Sequence, residues 1–393
     1  MSVPLPTTVT PSRPIASVLA VGRPPATGPS APTAVGKWDV SALRPEGAAG
    51  AWAWLSGYYN GAVPADYAEG VALTTGAGRT WLDRTPPGLG QGSARRSIEG
   101  LDAVSMADAW VTYGPLADGS PQALMATTDG GRHWAPLGLL PSPYCSLQML
   151  TAAVGFCVAS VGAMGSEPVM IYRTADGGRH WALESRSQSS PPSWGPGTPG
   201  ALGFGCDKFV GFSAPTVGWA AFLCATGLSP IFGSTDAGRT WAPRKVGSLP
   251  AAYGSTPGNA AMWTSAPVVD GTLGAVGMSV EGRHDKDLVY RTTDAGATWW
   301  PVAPPGPPRP WSVDVVSSTT WKLTAGTTVL TTTDGGRSWS TATSALDFGV
   351  QDGTLDYVGA EDGWRVPVEG WSLYRTSDGG KAWEQVALPA FPG

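Results

Sequence analysis

The octapeptide Thr127-Thr128-Asp129-Gly130-Gly131-Arg132-His133-Trp134 constrains this chain more than any other feature, because its pattern is written seven times. The pattern is Ser/Thr, a free position, Asp, a free position, Gly, two free positions and Trp. It recurs from Thr174 to Trp181, Ser234 to Trp241, Thr292 to Trp299, Thr332 to Trp339 and Thr376 to Trp383, and a copy from Thr74 to Trp81 has Gly76 in place of the Asp. Such a frame reads as a β-hairpin turn, with a strand running into Asp-x-Gly and Trp opening the next strand. Asp129, Asp176, Asp236, Asp294, Asp334 and Asp378 are placed to fold their carboxylates onto N–H groups of the turn, joined by the hydroxyl two residues earlier. Gly in fifth place supplies a positive φ that a Cβ would oppose. Trp81, Trp134, Trp181, Trp241, Trp299, Trp339 and Trp383 then bury large rings between hairpins. Turn geometry and packing account for every fixed position without a substrate.

Successive box tryptophans are 53, 47, 60, 58, 40 and 44 residues apart. That is room for about four strands of roughly five or six residues with their loops. A second repeat supports this parsing: an aromatic residue precedes most boxes, at Trp54, Trp110, Phe156, Trp219, Trp321 and Trp364, with no equivalent in the fifth unit. In the second unit the predicted strands are Leu101–Met106, Ala109–Tyr113, Ala123–Thr128 and His133–Leu137. The expected fold is all-β, a seven-bladed β-propeller of four-stranded antiparallel blades at about 38–85, 98–138, 144–184, 205–245, 260–302, 311–342 and 354–391.

The boxes resemble the Asp-box or BNR repeat of sialidase-type propellers. With the Gly-Trp pair that opens a strand before two boxes, Gly218-Trp219 and Gly363-Trp364, the chain is most similar to the photosystem II assembly-factor-like propellers. The resemblance spans about residues 38 to 391; Gly76 and Phe156 depart from it. It implies a non-catalytic module binding a protein or peptide partner. The same repeat occurs in glycosidases, so a carbohydrate-active protein is the rival expectation, and the activity has to be argued from a site.

Only 14% of residues are charged, while Gly numbers 54 and Pro 37, which suits short strands and turns. The net charge of −5 leaves no electrostatic footprint for nucleic acid, and no apolar run is long enough to span a membrane. Residues 1–36, rich in Pro, Ser, Thr and Ala and without an acidic residue, read as an extended or disordered arm before the propeller at 37–393. Ile15–Val21 is short and follows no basic run, so no export signal is evident; the same stretch is the one candidate for an extra ring-closing strand. Cys206 and Cys224 fall nearly opposite each other on two paired strands, which favours a bridge, and Cys145 and Cys157 flank a similar turn a few residues out of step. Four buried thiols and two bridges both remain open. The even count and low charge favour an exported protein, extracellular, at the cell surface or periplasmic. A monomer is expected, with no cofactor and no metal site.

Strand direction places all boxes on one face and the strand two-to-three loops and blade connections on the other. The second face collects Tyr58, Tyr59, Tyr67, Asp66, Glu69, Arg95, Arg96, Glu99, Trp194, Tyr253, Trp311 and Trp371. Aromatic rings among amides and charges suit an extended peptide or a sugar ring; the competing expectation is that they pin loops to the scaffold. A sialidase-like site would need an arginine cluster for a carboxylate, with Arg95, Arg96 and Arg309 as candidates beside Asp66 and Glu99, but the aromatic-Arg-Ile-Pro signature is absent. His133 and His180 precede box tryptophans and read as solvated. Arg79, Arg132, Arg179, Arg239, Arg337 and Lys381 follow the box glycines and read as a solvated cationic rim.

Overall fold

The computed structural model describes residues 38–58, 67–89, 97–114, 120–160, 168–187, 199–203, 205–224, 227–253, 260–280, 286–348, 354–367, 370 and 372–388; side chains at 58, 67, 68, 227 and 260 are outside the description. The arm at 1–36 therefore lies outside the described residues. Seven antiparallel sheets follow one another along the chain, one per predicted unit, and form a seven-bladed propeller. In blade two the strands are Ser97–Ala103, Ala109–Gly114, Ala123–Thr127 and Ala135–Leu139. The first begins four residues before the predicted Leu101, because Ser97 and Ile98 already pair with Gly114 and Tyr113. No helix among the described residues is long and apolar enough to cross a membrane.

Blade six is built from three continuous runs. The middle one, Trp321–Thr332, pairs with Ser312–Val315 through its first half and with Ser340–Phe348 through its second, with Gly326 at φ 55° between the halves. One unbroken run thus serves as two blade strands. Blade five takes two short additions from blade four: Gly227–Leu228 pairs in parallel with Ala260–Ala261 on one edge, and Lys245–Val246 pairs in parallel with Thr298–Trp299 on the other.

The boxes explain why the turns are where they are. In each of the six Asp boxes the Ser/Thr hydroxyl donates to its Asp at 2.8–2.9 Å and accepts the N–H of the fifth-position Gly at 2.8–3.0 Å. The first box forms without its Asp, because Thr74 Oγ1 still accepts the Gly78 N–H at 3.0 Å. The fourth position is not free, as the pattern suggested: in all seven boxes it has positive φ, and its N–H donates to the strand one-to-two turn of the same blade at 2.7–3.0 Å. Gly fills it four times, but Ala77, Ala237 and Ala295 are held at φ 57°, 64° and 55°. Nor is the seventh position free. His133 and His180 approach the second carboxylate oxygen of their Asp through Nδ1 at 2.6 Å, and Thr240, Thr298 and Ser338 donate hydroxyls to it at 2.6 Å.

Between blades, the second residue of the second strand fills the seam. Strand pairing assigns this role to Trp52 rather than Trp54, because Ala51 of strand two faces Thr74 of strand three as Ala109 faces Thr127. It assigns Ala275 to blade five and Lys322, not Trp321, to blade six, since Val315 faces Trp321 as Ala103 faces Ala109. Trp110 Nε1 donates to the carbonyl of Gly177 in the next blade at 2.9 Å; Lys322, buried under the Tyr357 ring, gives its Nζ to the corresponding Gly379 at 3.0 Å. Burial holds the Lys322 ammonium down at a pKa of about 8.

A second set of seam bonds comes from carboxylates and one amide. Glu69, Asp102, Asp287 and Asp314 each accept a main-chain N–H of the following blade, from Ile98, Met149, Trp311 and Tyr357, at 2.6–2.8 Å. Gln148 does the same for Phe212 and also donates to its carbonyl. Hydrogen bonds to charged groups contribute about 1.5–3 kcal/mol each when buried. The ring closes by packing: Val40, Leu43 and Leu55 of blade one meet Trp364, Leu373 and Val386 of blade seven, and Trp81 Nε1 donates to Ala387 O. All four strands of blade seven come from one segment, so among the described residues no strand is exchanged at closure.

Two outcomes follow. Ala237→Gly and Ala295→Gly relieve a left-handed alanine and should each stabilise the protein by about 1 kcal/mol in chemical denaturation; a loss of stability would contradict the strain. The pH dependence has two limbs. Asp129, Asp176 and Asp334 are held well below the usual carboxylate range by the N–H and ring of His133, the ring and N–H of His180, and the hydroxyl and N–H of Ser338. Their contribution is complete above the unfolded value of about 4 and is lost as pH falls below it. Burial instead pushes Asp102 up to about 6 and Glu46 up to about 7, so their contribution is present at low pH and lost as pH rises through those values. Denaturation midpoints should therefore be highest between the limbs. Asp334→Asn should reduce the acid limb alone, leaving the share of Asp129 and Asp176, and Asp102→Asn should reduce the other.

Candidate functional site

Tyr59, Asp66, Arg95, Arg96, Trp194 and Trp371 lie outside the described residues. Tyr58 closes strand two and Tyr67 opens strand three of blade one, and pairing sets their backbones directly opposite each other. Tyr253 and Trp311 are both buried. The Tyr253 hydroxyl is pushed up to about 12, by burial first and then by the charge of Asp287. Trp311 gives its main-chain N–H to Asp287 and packs its ring with Ala275, Val289 and Trp321 at the seam between blades five and six. These two rings hold chain segments to the core, so they do not form part of an exposed aromatic surface. The Arg309 guanidinium lies 5.0 Å from the centre of the Trp311 ring.

The expected residues that do come together are acidic. Glu69, buried in strand three of blade one, accepts the Ile98 N–H at 2.8 Å and stands near Ser97. Glu99 follows at a β-bulge, where pairing with strand two shifts between Ile98 and Gly100, so that it is exposed while its neighbours are tucked in. Partial burial, then the charge of Glu69, raises the Glu99 pKa. The arrangement is one carboxylate committed to the backbone beside a second that holds its proton more readily and faces solvent. A bulge is a common way to re-aim one side chain, and the sequence carries no sign of it.

Sequence reasoning passed over a second acidic group, at the box-side end of the same seam. Arg44 Nε lies 3.8 Å from Asp102 Oδ1, and Glu46 is raised by burial and then by Asp102. On the box face, Arg132, Arg179 and Arg337 fold back onto the carbonyl of their own box Asp, and Arg239 pairs with Glu184 of blade three at 2.6 Å. These four members of the cationic rim are therefore tied into their own turns or to the neighbouring blade. Among the described residues no group of three or more His, Cys, Asp or Glu is placed to hold a metal ion.

Both cysteine pairs are bridged. Cys206 and Cys224 extend the register in which Asp207 faces Leu223, with Cα atoms 4.8 Å apart. Cys145 and Cys157 are diagonal neighbours, since Cys145 faces Ala159 and Cys157 faces Leu147, with Cα atoms 5.3 Å apart.

The fold defines the class: a seven-bladed β-propeller with an ordered box face and a loop face opposite. No protein-family model matches the chain, and no curated protein matches it. Among solved structures, YCF48 from Cyanidioschyzon merolae aligns with a TM-score of 0.51 at 14% identity, over 89% of this chain and 95% of its own. A structure from an analysis of two prolyl endopeptidases aligns with a TM-score of 0.54 at 11% identity, over 89% of this chain but 49% of that one. YCF48 bound to D1 peptide aligns at 0.44 and 16% identity, over 75% and 81% of the two chains, too loosely to locate a peptide site here. Identities this low establish a shared fold and nothing finer.

Replacing Glu69 by Ala removes a buried acceptor and strands the Ile98 N–H, which should cost about 2–3 kcal/mol in denaturation. Glu99→Gln, at an exposed bulge, should change stability by less than about 0.5 kcal/mol. Equal effects would mean that the two carboxylates share one structural role.

Proposed function

We propose that this chain is a non-catalytic binding scaffold of the Asp-box (BNR) class, akin to the photosystem II assembly-factor-like propellers, that holds a protein or peptide partner on its loop face as an exported monomer. One observation carries the reading: the acidic groups with resolved partners are spent on architecture. Glu69, Asp102, Asp287 and Asp314 each hold an N–H of the next blade, and each box carboxylate is held by its own turn. A scaffold fixed in this way presents variable loops, and on the loop face the sequence supplies Tyr59, Arg95, Arg96, Trp194 and Trp371. The two bridges favour an oxidising compartment. A glycan reading draws support only from Glu99, an exposed carboxyl of raised pKa beside Glu69.

The test is parallel screening of the immobilised protein against a displayed peptide library and a glycan array. Peptides should be retained, and a Trp194→Ala/Trp371→Ala variant should lose at least about tenfold in affinity, or ~1.4 kcal/mol, at unchanged melting temperature. Retention of glycans without peptides, or release of sugar by the wild type but not by Glu99→Gln, would overturn the proposal in favour of a carbohydrate-active protein.

A further inference from the structure

The two disulfides differ in their surroundings. Cys145–Cys157 is set among Leu147, Ala159 and Ser146, and Cys157 is fully buried. Cys206 and Cys224 are both half-buried, and Lys208, itself buried, donates its Nζ to the carbonyls of Gly205 and Cys206 at 2.9 Å each. A buried ammonium so close to Cys206 favours its thiolate. Cys206 also has φ 55°, the one positive value among the described non-glycine residues outside the boxes. The bridge closes on a residue in a conformation that a side chain opposes.

Beyond Cys224, the chain leaves blade four and attaches to blade five. The Cys224 N–H donates to Ser229 Oγ; the Ser229 N–H donates to Ala261 O, and Trp263 Nε1 donates to Ser229 O at 3.0 Å. Between them, Gly227–Leu228 adds a parallel strand to Ala260–Ala261. The bridge therefore anchors the root of the segment that staples blade four to blade five on the loop face.

We propose that Cys206–Cys224 is a redox-active latch, opened by a dithiol reductant, that sets how firmly the seam between blades four and five is held. A reductant thiolate attacks Cys224 Sγ, and Cys206 departs with the electron pair as a thiolate beside Lys208. The second reductant thiol then attacks its own sulfur in the mixed disulfide and releases Cys224. The reductant is oxidised to an intramolecular disulfide, two electrons pass to the cysteines, and the two protons it gives up end on the two thiols. With the latch open, Cys206 is free to leave its positive φ, and the segment at 227–229 keeps its hydrogen bonds to blade five but is tied to blade four, among the described residues, by main-chain N–H donors alone, Cys224 to Ser229 Oγ and Phe222 to Pro230 O. Cys145–Cys157, with Cys145 half-buried but Cys157 fully buried, stays closed under the same conditions.

The experiment uses the full oxidised chain, dithiothreitol at graded concentrations, alkylation and mass spectrometry. Cys206 and Cys224 should be labelled at least about tenfold faster than Cys145 and Cys157, and Lys208→Met should slow the first pair alone. Hydrogen exchange at 227–229 and 260–263 should quicken on reduction. Cys206→Ser/Cys224→Ser should reproduce that without reductant, whereas Cys145→Ser/Cys157→Ser should not. Equal labelling rates for the two pairs, or exchange at 260–263 that ignores reduction, would overturn the latch.

Discussion

The bond on which the rest of the molecule depends runs from the N–H of the fifth-position glycine to the Ser/Thr hydroxyl that opens each box. It is present in all seven boxes, including the one built around Gly76, where the carboxylate is missing. The hydroxyls are buried, so the bond is not traded for water. It folds the chain tightly enough that a side chain at the glycine would strike the ring: at Gly296 it would meet Trp219, and at Gly78 Val386. Asp adds to this bond and does not replace it, which is why one box can lose it and still fold.

Three of the seams follow one plan with exchangeable parts. The fourth-position carbonyl of a box accepts from the preceding blade, and the donor is an indole at Trp110, a guanidinium at Arg291 or an ammonium at Lys322. What is preserved is a donor of sufficient reach. A buried lysine costs desolvation, and its lowered pKa records that cost, but the Gly379 carbonyl and the Tyr357 ring offset part of it. Blade five, with Ala275 where blade four carries Trp219, borrows Trp321 from blade six to fill the same space. The chain thus tolerates substitution at a seam wherever the hydrogen bond and the volume can be supplied from the other side.

The number of blades, their order and the direction of each face were legible in the sequence because they depend on a turn whose chemistry is local. Position seven was legible too: His, His, Thr, Thr and Ser at successive Asp boxes can all reach a carboxylate, and treating the position as free missed that signal. Position four was harder, because Ala says nothing of its φ. The aromatic repeat places Trp54 and Trp321 beside Trp110, Phe156, Trp219 and Trp364, whereas strand pairing makes Trp52 and Lys322 the equivalent positions, because a shift of one or two residues leaves the aromatic spacing almost unchanged. Glu69, Asp102, Asp287 and Asp314 look like scattered acids in the sequence; only pairing across blades shows that they do one job. Tyr253 and Trp311 were picked as partner-facing because loop aromatics carry no mark of which way they turn.

The two faces are held by different physics, and this bears on where function can vary. On the box face, every turn between strands one and two is tied to its box by the same main-chain bond. A substitution there meets a constraint repeated seven times. The opposite ends of those strands share no such bond. Blade one uses a hydroxyl pair, Ser41 with Ser56 at 2.7 Å, blade two a bulge that turns Glu99 outward, and blades three and four a disulfide each. Each loop-face solution is separate from the next, so a change in one blade leaves the others standing. A ring held uniformly on one face and piecemeal on the other can alter its loops without losing its shape, which is the property a binding scaffold needs and a fixed catalytic constellation does not.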